Sequence, residues 1–297
     1  MLRDSIQVMK YTITQFKKDF PNEEACLDYM FKQKYPNVEG YYKVKNRKCY
    51  SHKTTKHQLH PTAGTIFHKS STPLDNWFFA IYLVSASKNG VSAKELQRHL
   101  GCTYKTAWRI GKQVRSLMKQ DGTLLGGIVE VDETYIGGVK KGNQGGHKNE
   151  AVIGAVERKG RVQAKHVEEV HTGSLIGNIA DNVKVGSSIM SDGEPMYKKT
   201  VRLGMFHSSV NHSNKEYVRG LVHTNTIEGF WGQMKRSIDG TYHAISPKYL
   251  QSYVDEFAWR YNERFSSSPA FLTILSLACG LPYSGENRSL SFEVPVA

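Results

Sequence analysis

The chain of 297 residues is long enough for two or three small domains, each with its own hydrophobic core. Its four cysteines are scattered and form no Cys-x-x-Cys pair, which argues against a disulfide framework. The longest purely apolar run in the first half, residues 77–84, is far shorter than the ~20 residues of a membrane-spanning helix, and the sequence does not begin with a secretion signal. We therefore expect a soluble intracellular protein.

The net charge of +13 is confined to one part of the chain. Residues 1–120 contain 21 Lys and Arg against 8 Asp and Glu, whereas the remaining residues contain 19 of each. A positive charge that served only solubility would be expected along the whole chain. This distribution favours a polyanion-binding N-terminal part joined to a neutral second part.

Residues 1–70 form a basic segment that is rich in histidine and tyrosine. Cys49, His52, His57 and His60 have the spacing C-x2-H-x4-H-x2-H, which could hold zinc. Zinc sites usually show more regular paired spacings, so a solvated basic surface is the favoured interpretation of this segment.

Three helices are predicted next. The first covers residues 74–87 and ends before an Asn-Gly pair. The second begins with a capping box formed by Ser92 and Glu95, and it stops at Gly101. Thr103 can cap the third helix, which is basic.

The order and spacing of these helices favour a helix-turn-helix domain over residues 71–120. An ordinary helical hairpin is the alternative. The location inside the basic part of the chain favours DNA binding, with the last helix in the major groove. Its candidate DNA contacts are Tyr104, Lys105, Arg109 and Lys112.

From residue 126 the apolar residues alternate, which predicts a β-strand over residues 126–138. Glu130 and Asp132 are expected on one face of this strand and Glu133 on the other. Charges on a half-buried strand are costly unless they are paired or bind a cation. Three meandering strands followed by alternating helices and strands then predict an α/β domain with a mixed sheet.

Three acids stand at the ends of predicted elements, namely Asp132, Asp192 and Glu228. Each has an ordinary structural explanation: Asp132 could face solvent, Asp192 could begin an Asp-Gly turn, and Glu228 could complete a helix cap with Asn225. Lys235 follows Glu228 by seven residues, so both would lie on one helix face. That face would present a metal-binding carboxylate and a cation for a phosphate.

Three motifs, in this order, resemble those of the DDE transposases of bacterial insertion sequences: VEVDETYIGG, SDGEPMY and HTNTIEGFWGQMKR. Two further segments are similar to the same subgroup: PTAGTIFHKSSTPLDNWFFAIYLV upstream and YVDEFAWRYNERF downstream. The resemblance covers about residues 20–265. It implies a ribonuclease H-like fold with an acidic triad of Asp132, Asp192 and Glu228.

The resemblance also implies roles for neighbouring residues. Lys235 matches the basic residue that follows the third acid, and Arg236 beside it is a candidate DNA contact. Some relatives have Asn or His where others have the third acid, which makes Asn225 and His223 accessory candidates. Trp231, one turn from Glu228, is expected to fill the core.

The implied chemistry is DNA cleavage at the ends of an insertion element and joining to target DNA. Two Mg²⁺ or Mn²⁺ ions are expected on the acidic triad. The partners would be terminal-repeat DNA and target DNA, with a homo-oligomer assembled on them, in the cytoplasm of a bacterium and associated with the nucleoid. Zinc is not expected, because the two Cys-x-x-Cys pairs that relatives carry before PTAGTIF are absent.

The predicted order is therefore a degenerate zinc-ribbon-like segment (1–70), a helix-turn-helix domain (71–120), a catalytic domain (125–265) and a tail (266–297). Two other functions stay open. A DNA-binding regulator with an inactive catalytic domain would be expected to have lost the triad. A ribonuclease H-like nuclease or resolvase would cut DNA without strand transfer. Of the remaining acids, Glu130 is expected to be salt-bridged or to support the site, and Glu256 to be ion-paired or on a helix surface.

Overall fold

The computed structural model describes residues 11–137, 150–192, 195–211 and 214–281. The chain divides into two compact units, one of residues 1–117 with 265–297 and one of residues 118–264. Within the described ranges, no helix has both the length and the apolar composition needed to cross a membrane.

The α-helices, in chain order, are α1 (Ile13–Asp19), α2 (Glu23–Lys34), α3 (Leu74–Ala86), α4 (Ala93–Leu100), α5 (Tyr104–Arg115), α6 (Thr172–Asn182), α7 (Asn225–Ser237), α8 (Pro247–Asn262) and α9 (Ala270–Ala278). The strands are β1 (Tyr41–Lys43), β2 (Tyr50–His52), β3 (Gln58–Leu59), β4 (Ile128–Ile136), β5 (Glu150–Glu157), β6 (Val162–Val167), β7 (Ser188–Ser191) and β8 (Phe206–Ser209). The described residues also include two 3-10 segments (Pro195–Leu203 and Glu263–Phe265) and a π-helical turn (Ile238–Tyr242).

Helices α3 to α5 lie where the sequence predicts them. Ser92 Oγ accepts the N–H of Glu95 at the start of α4, and Gly101, at a φ of 60°, ends that helix in the left-handed conformation. Thr103 Oγ1 accepts the N–H of Thr106 at the start of α5. The use of these helices as a DNA-binding motif stays a prediction.

Aromatic side chains form the core of the first unit. Trp77 and Phe78 of α3 are fully buried, and the ring of Phe20 packs edge-on against Phe78 at 5.0 Å. Phe271 of α9 lies 5.9 Å from Phe20. The start of the predicted tail, residues 266–297, therefore contributes to this core, while residues 282–297 lie outside the described part.

The small antiparallel sheet β1-β2-β3 packs on α2. Tyr50 stacks on Phe31 of α2 with ring centroids 3.8 Å apart, and Cys49 beside it is buried. Of the histidines in the predicted zinc pattern, His57 contacts the hydroxyl of Tyr41 through Nδ1 at 2.9 Å. The stack of Tyr50 on Phe31 joins the sheet to α2, and zinc binding by this segment stays untested.

The second unit is an α/β domain with a five-stranded mixed sheet in the order β6-β5-β4-β7-β8. β4, β5 and β6 are antiparallel neighbours, whereas β7 runs parallel to both β4 and β8. Helix α6 packs on one face, and α7 with α8 pack on the other. The predicted fold class, a mixed sheet flanked by helices, is confirmed and is compatible with a ribonuclease H-like fold.

Strand β4 distributes its side chains as the alternation predicts. Val129 and Val131 belong to the core under α6, and Glu133 accepts a hydrogen bond from Tyr197 on that side. Glu130 and Asp132 face α7 instead, through contacts with the helix backbone and a tryptophan. The strand therefore presents both acids to the same helix.

Candidate active site

Asp132 lies in the middle of β4 and contacts α7 through one side chain. The indole Nε1 of Trp231 donates to Asp132 Oδ2 at 3.0 Å. Gly154 on β5 is the register partner of Asp132, and a Cβ at that glycine would lie 2.6 Å from the Trp231 ring. A glycine is thus required there for the indole to approach the strand closely. Trp231 is largely buried, so it fills the core as predicted and also orients the carboxylate.

Asp192 comes level with Asp132 because of the register between two parallel strands. β4 and β7 pair with Ile128 opposite Ser188 and Glu130 opposite Met190, an offset of 60 residues. β7 ends at Ser191, and the same offset, continued two residues past the last paired residues, would bring Asp192 level with Asp132. The negative charge of Asp192 is one of the causes that raise the pKa of Asp132. The structure therefore brings these two predicted acids together.

The third predicted acid, Glu228, is exposed in the first turn of α7 and accepts a hydrogen bond from the hydroxyl of Thr224 at 2.6 Å. Lys235 is exposed two turns further along the same helix, with Arg236 next to it. Among the residues that the structure describes, no three His, Cys, Asp or Glu side chains are gathered closely enough to hold a metal ion. The metal-binding role of the triad is still a prediction.

Helix α7 begins one residue earlier than a cap at Asn225 would place it. The N-cap is Thr224, and Asn225 is the first helical residue and is exposed. Thr224 makes no side-chain cap bond, and its hydroxyl donates to Glu228. His223 Nδ1 lies 3.2 Å from Glu130 Oε1, within ion-pair range but without the geometry of a hydrogen bond.

Glu130 supplies the cap that Thr224 does not make. Its side chain is fully buried, and Oε2 accepts the backbone N–H groups of Thr226 at 2.7 Å and Ile227 at 3.1 Å. Oε1 accepts from the Thr226 hydroxyl and forms an ion pair with Arg158 Nε at 2.7 Å. The predicted salt bridge of Glu130 is confirmed. No local sequence pattern indicated Arg158 as its partner, because the two residues are 28 positions apart.

The electrostatic environment of Asp132 opposes its ionisation. Burial, followed by repulsion from Glu133 and Asp192, raises the pKa of Asp132 to about 7, against the lowering effect of the Glu133 N–H and the Trp231 indole. A cation beside the carboxylate would remove this penalty. Carboxylate oxygens are the ligands that Mg²⁺ and Mn²⁺ prefer, and Asp132 and Asp192 supply ligands of that type.

The predicted DNA contacts of α5 fall into two groups. Tyr104, Lys105 and Lys112 are exposed. Arg109 is half-buried; its Nη2 donates to Thr72 Oγ1 at 3.0 Å, and its guanidinium lies 5.5 Å from the ring centre of Trp77. Arg109 thus takes part in packing within the first unit, and a groove contact by it would require these bonds to change.

Comparison with known proteins gives two similarities. Residues 124–262 match the family model described as the ISXO2-like transposase domain. The chain is also 25% identical, over 262 residues, to a protein of Halobacterium salinarum described as an uncharacterized protein in transposable element ISH50. That alignment covers 80% of this chain and 86% of the relative.

Replacing Glu130 by Gln is expected to destabilise the second unit by about 3–5 kcal/mol, because Arg158 would lose its partner in a largely buried position. The free energy of unfolding from urea titration measures this effect. Glu150→Gln is the matched control, since Glu150 pairs with His166 at a part-exposed site and its loss should cost less than about 1 kcal/mol. Equal losses in both variants would contradict the assignment.

Replacing Asp132 by Asn is expected to stabilise the protein at pH 8 without divalent cations. The carboxyl has a pKa of about 7 when folded against a usual 3.8, so the folded state is penalised as the pH rises from about 4 to 7. Asn removes this penalty, and the gain in unfolding free energy should be about 2–4 kcal/mol at pH 8. The gain should shrink steadily as the pH falls towards 4.5. Urea titrations of wild type and variant in EDTA at pH 8 and pH 4.5 measure the two unfolding free energies. A difference between wild type and variant that did not change with pH would refute this prediction.

Proposed function

We propose that this chain, whose residues 124–262 match the ISXO2-like transposase domain, is an insertion-sequence transposase that moves DNA by cutting and joining phosphodiester bonds. It would bind the ends of an insertion element, free their 3′-hydroxyls and join them to target DNA. The observation that carries this proposal is the closeness of Asp132, on β4, to Asp192, which directly follows the neighbouring parallel strand β7, within the matched residues.

Asp132, Asp192 and Glu228 are the residues that would hold Mg²⁺ or Mn²⁺. When bound, the ions would activate the attacking oxygen and stabilise the leaving oxygen of the phosphodiester. Trp231 would keep one oxygen of Asp132 in a fixed orientation through its indole N–H. Lys235, exposed on the helix that carries Glu228, would contact a DNA phosphate near the reacting bond.

The proposed cutting and joining of DNA takes place in two steps. In the first, a water oxygen attacks the phosphorus at the element's end, the bond from phosphorus to the 3′-oxygen breaks, and that oxygen takes up a proton. In the second, the freed 3′-hydroxyl loses its proton and attacks a target phosphorus, and a target 3′-hydroxyl leaves. Both steps use the same acidic residues, so one site can serve both.

The basic first part of the chain would hold the DNA. The whole charge excess lies in residues 1–120, and the exposed face of α5 offers Tyr104, Lys105 and Lys112. Two ends of an element have to be cut and joined together, so we propose that at least two copies of the chain assemble on DNA. The relative found in transposable element ISH50 supports the link to a mobile element.

The activity test uses purified protein, labelled end DNA, and Mg²⁺ or Mn²⁺. Wild type is expected to nick the DNA and join it to a target, while Asp192→Asn should lower cleavage by at least about a hundredfold with DNA binding retained. Asp121→Asn, a carboxylate that pairs with Arg161 at a part-exposed site, is the matched control and should cleave normally.

The outcomes of this test separate the other functions. Binding without cleavage by wild type would favour a DNA-binding regulator. Cleavage of branched DNA or an RNA–DNA hybrid without dependence on the end sequence, and without joining, would favour a nuclease or resolvase.

The binding test concerns the exposed lysines of α5. Lys105→Ala and Lys112→Ala are each expected to weaken end-DNA binding and to reduce the slope of log K against log salt by about 0.9, because each removes one phosphate contact. Fluorescence anisotropy over a range of salt concentrations measures both quantities. Lys165→Ala, an exposed lysine of β6 in the neutral part of the chain, should leave the slope unchanged. An unchanged slope in the α5 variants would argue against a DNA-binding role for this face.

A further inference from the structure

An apolar side chain stands at the tip of a tight turn just before α7. Arg219 and Val222 exchange backbone hydrogen bonds of 2.9 and 3.0 Å, with Gly220 and Leu221 between them. Gly220 has a φ of +61°, the conformation for which turns of this kind use glycine. Leu221 is 71% exposed, although turn tips usually carry Gly, Asn, Asp or Ser. A leucine there exposes apolar surface that nothing in the turn itself requires.

The backbone of this turn is anchored to the interior of the second unit. Arg158 Nη1 donates to the Leu221 carbonyl at 2.6 Å, and its Nη2 donates to the His223 carbonyl at 3.0 Å. The same guanidinium forms the ion pair with the fully buried Glu130. Arg219 Nη2 donates to the Ser209 carbonyl at 2.9 Å at the end of β8. The tip is therefore held in place, so little backbone freedom would be lost when it contacts a ligand.

The same anchor fixes the turn relative to the candidate active site. Glu130 accepts the N–H groups of Thr226 and Ile227 in the first turn of α7, where Glu228 lies. Arg158 connects this carboxylate to the Leu221 carbonyl. The exposed leucine and the third predicted acid are thus positioned by one buried ion pair.

We propose that Leu221 is a wedge that inserts between two base pairs of the DNA held at this site, next to the bond that is cut. The proposal rests on the proposed function. Proteins that unstack DNA do so with side chains of this kind, including Leu, Ile, Met and Phe. Val218, 54% exposed, adds apolar surface on the same loop, and Lys215, which is exposed on that loop, would face a DNA phosphate.

The size of the surface favours DNA over a second protein. A stable protein–protein interface buries about 1,200–2,000 Å² in total. A turn with one leucine at its tip and a valine beside it supplies far less. One inserted side chain is enough to unstack a single base step, so the small apolar surface of this turn matches a base step in size.

The test measures base unstacking separately from cutting. Full-length protein with Asp192→Asn, which should bind without cleaving, is mixed with end duplexes that carry 2-aminopurine at successive positions around the cleavage point. Fluorescence is expected to rise at one step, to persist with Leu221→Met, and to fall to the level of the free duplex with Leu221→Ala. Val185→Ala, which truncates a side chain that is 76% exposed in the same unit, should keep the signal. A second set of duplexes carries 2-aminopurine in the target DNA. Comparing the two sets shows whether Leu221 inserts into the end DNA or into the target DNA.

Several results would overturn the proposal. One is a rise in 2-aminopurine fluorescence that persists in Leu221→Ala. Another is the absence of any rise in both sets of duplexes although gel shifts show that the protein binds them. A change of oligomeric mass in Leu221→Ala by light scattering, with fluorescence unaffected, would assign the turn to a protein interface. Absence of any DNA binding by wild type would instead refute the proposed function, and the wedge with it. Thermal unfolding of each variant confirms that the fold is intact.

Discussion

A buried carboxylate on the central strand, Glu130, determines how the surroundings of the candidate site are put together. It accepts two backbone N–H groups at the start of α7 and pairs with Arg158, which in turn holds two carbonyls of the preceding turn. The strand, the helix and the turn therefore meet at one ion pair. Because Asp132 is two residues further along the same strand face, α7 is fixed relative to Asp132 as well.

This arrangement uses the free N–H groups and the positive end of a helix to offset the cost of burying a charge. The first N–H groups of a helix have no partners within it, and they favour a negative charge nearby. Glu130 provides that charge from another element. Thr224, the N-cap residue, makes no side-chain cap bond, and its hydroxyl donates to Glu228, the predicted third acid.

The sequence predicted features that depend on short-range patterns, and it missed those that depend on distant partners. Alternation assigned Glu130 and Glu133 to opposite faces of β4, and the capping residues located α4 and α5. The pairing of Glu130 with Arg158 joins β4 to the residue that follows β5, through a side chain whose direction no local pattern specifies. The inward contact of Arg109 with Thr72 is similar, since a basic residue on an amphipathic helix is expected to face solvent.

The two acids on the α7 face of β4, Glu130 and Asp132, lie in opposite electrostatic environments. Glu130 is surrounded by donors and a guanidinium, so its charge is satisfied within the protein. Asp132 receives the indole of Trp231 and the N–H of Glu133, while burial, Glu133 and Asp192 oppose its charge. A positive group that arrived with the substrate, as the proposed phosphodiester chemistry requires, would offset the charge that burial and the neighbouring acids disfavour at Asp132.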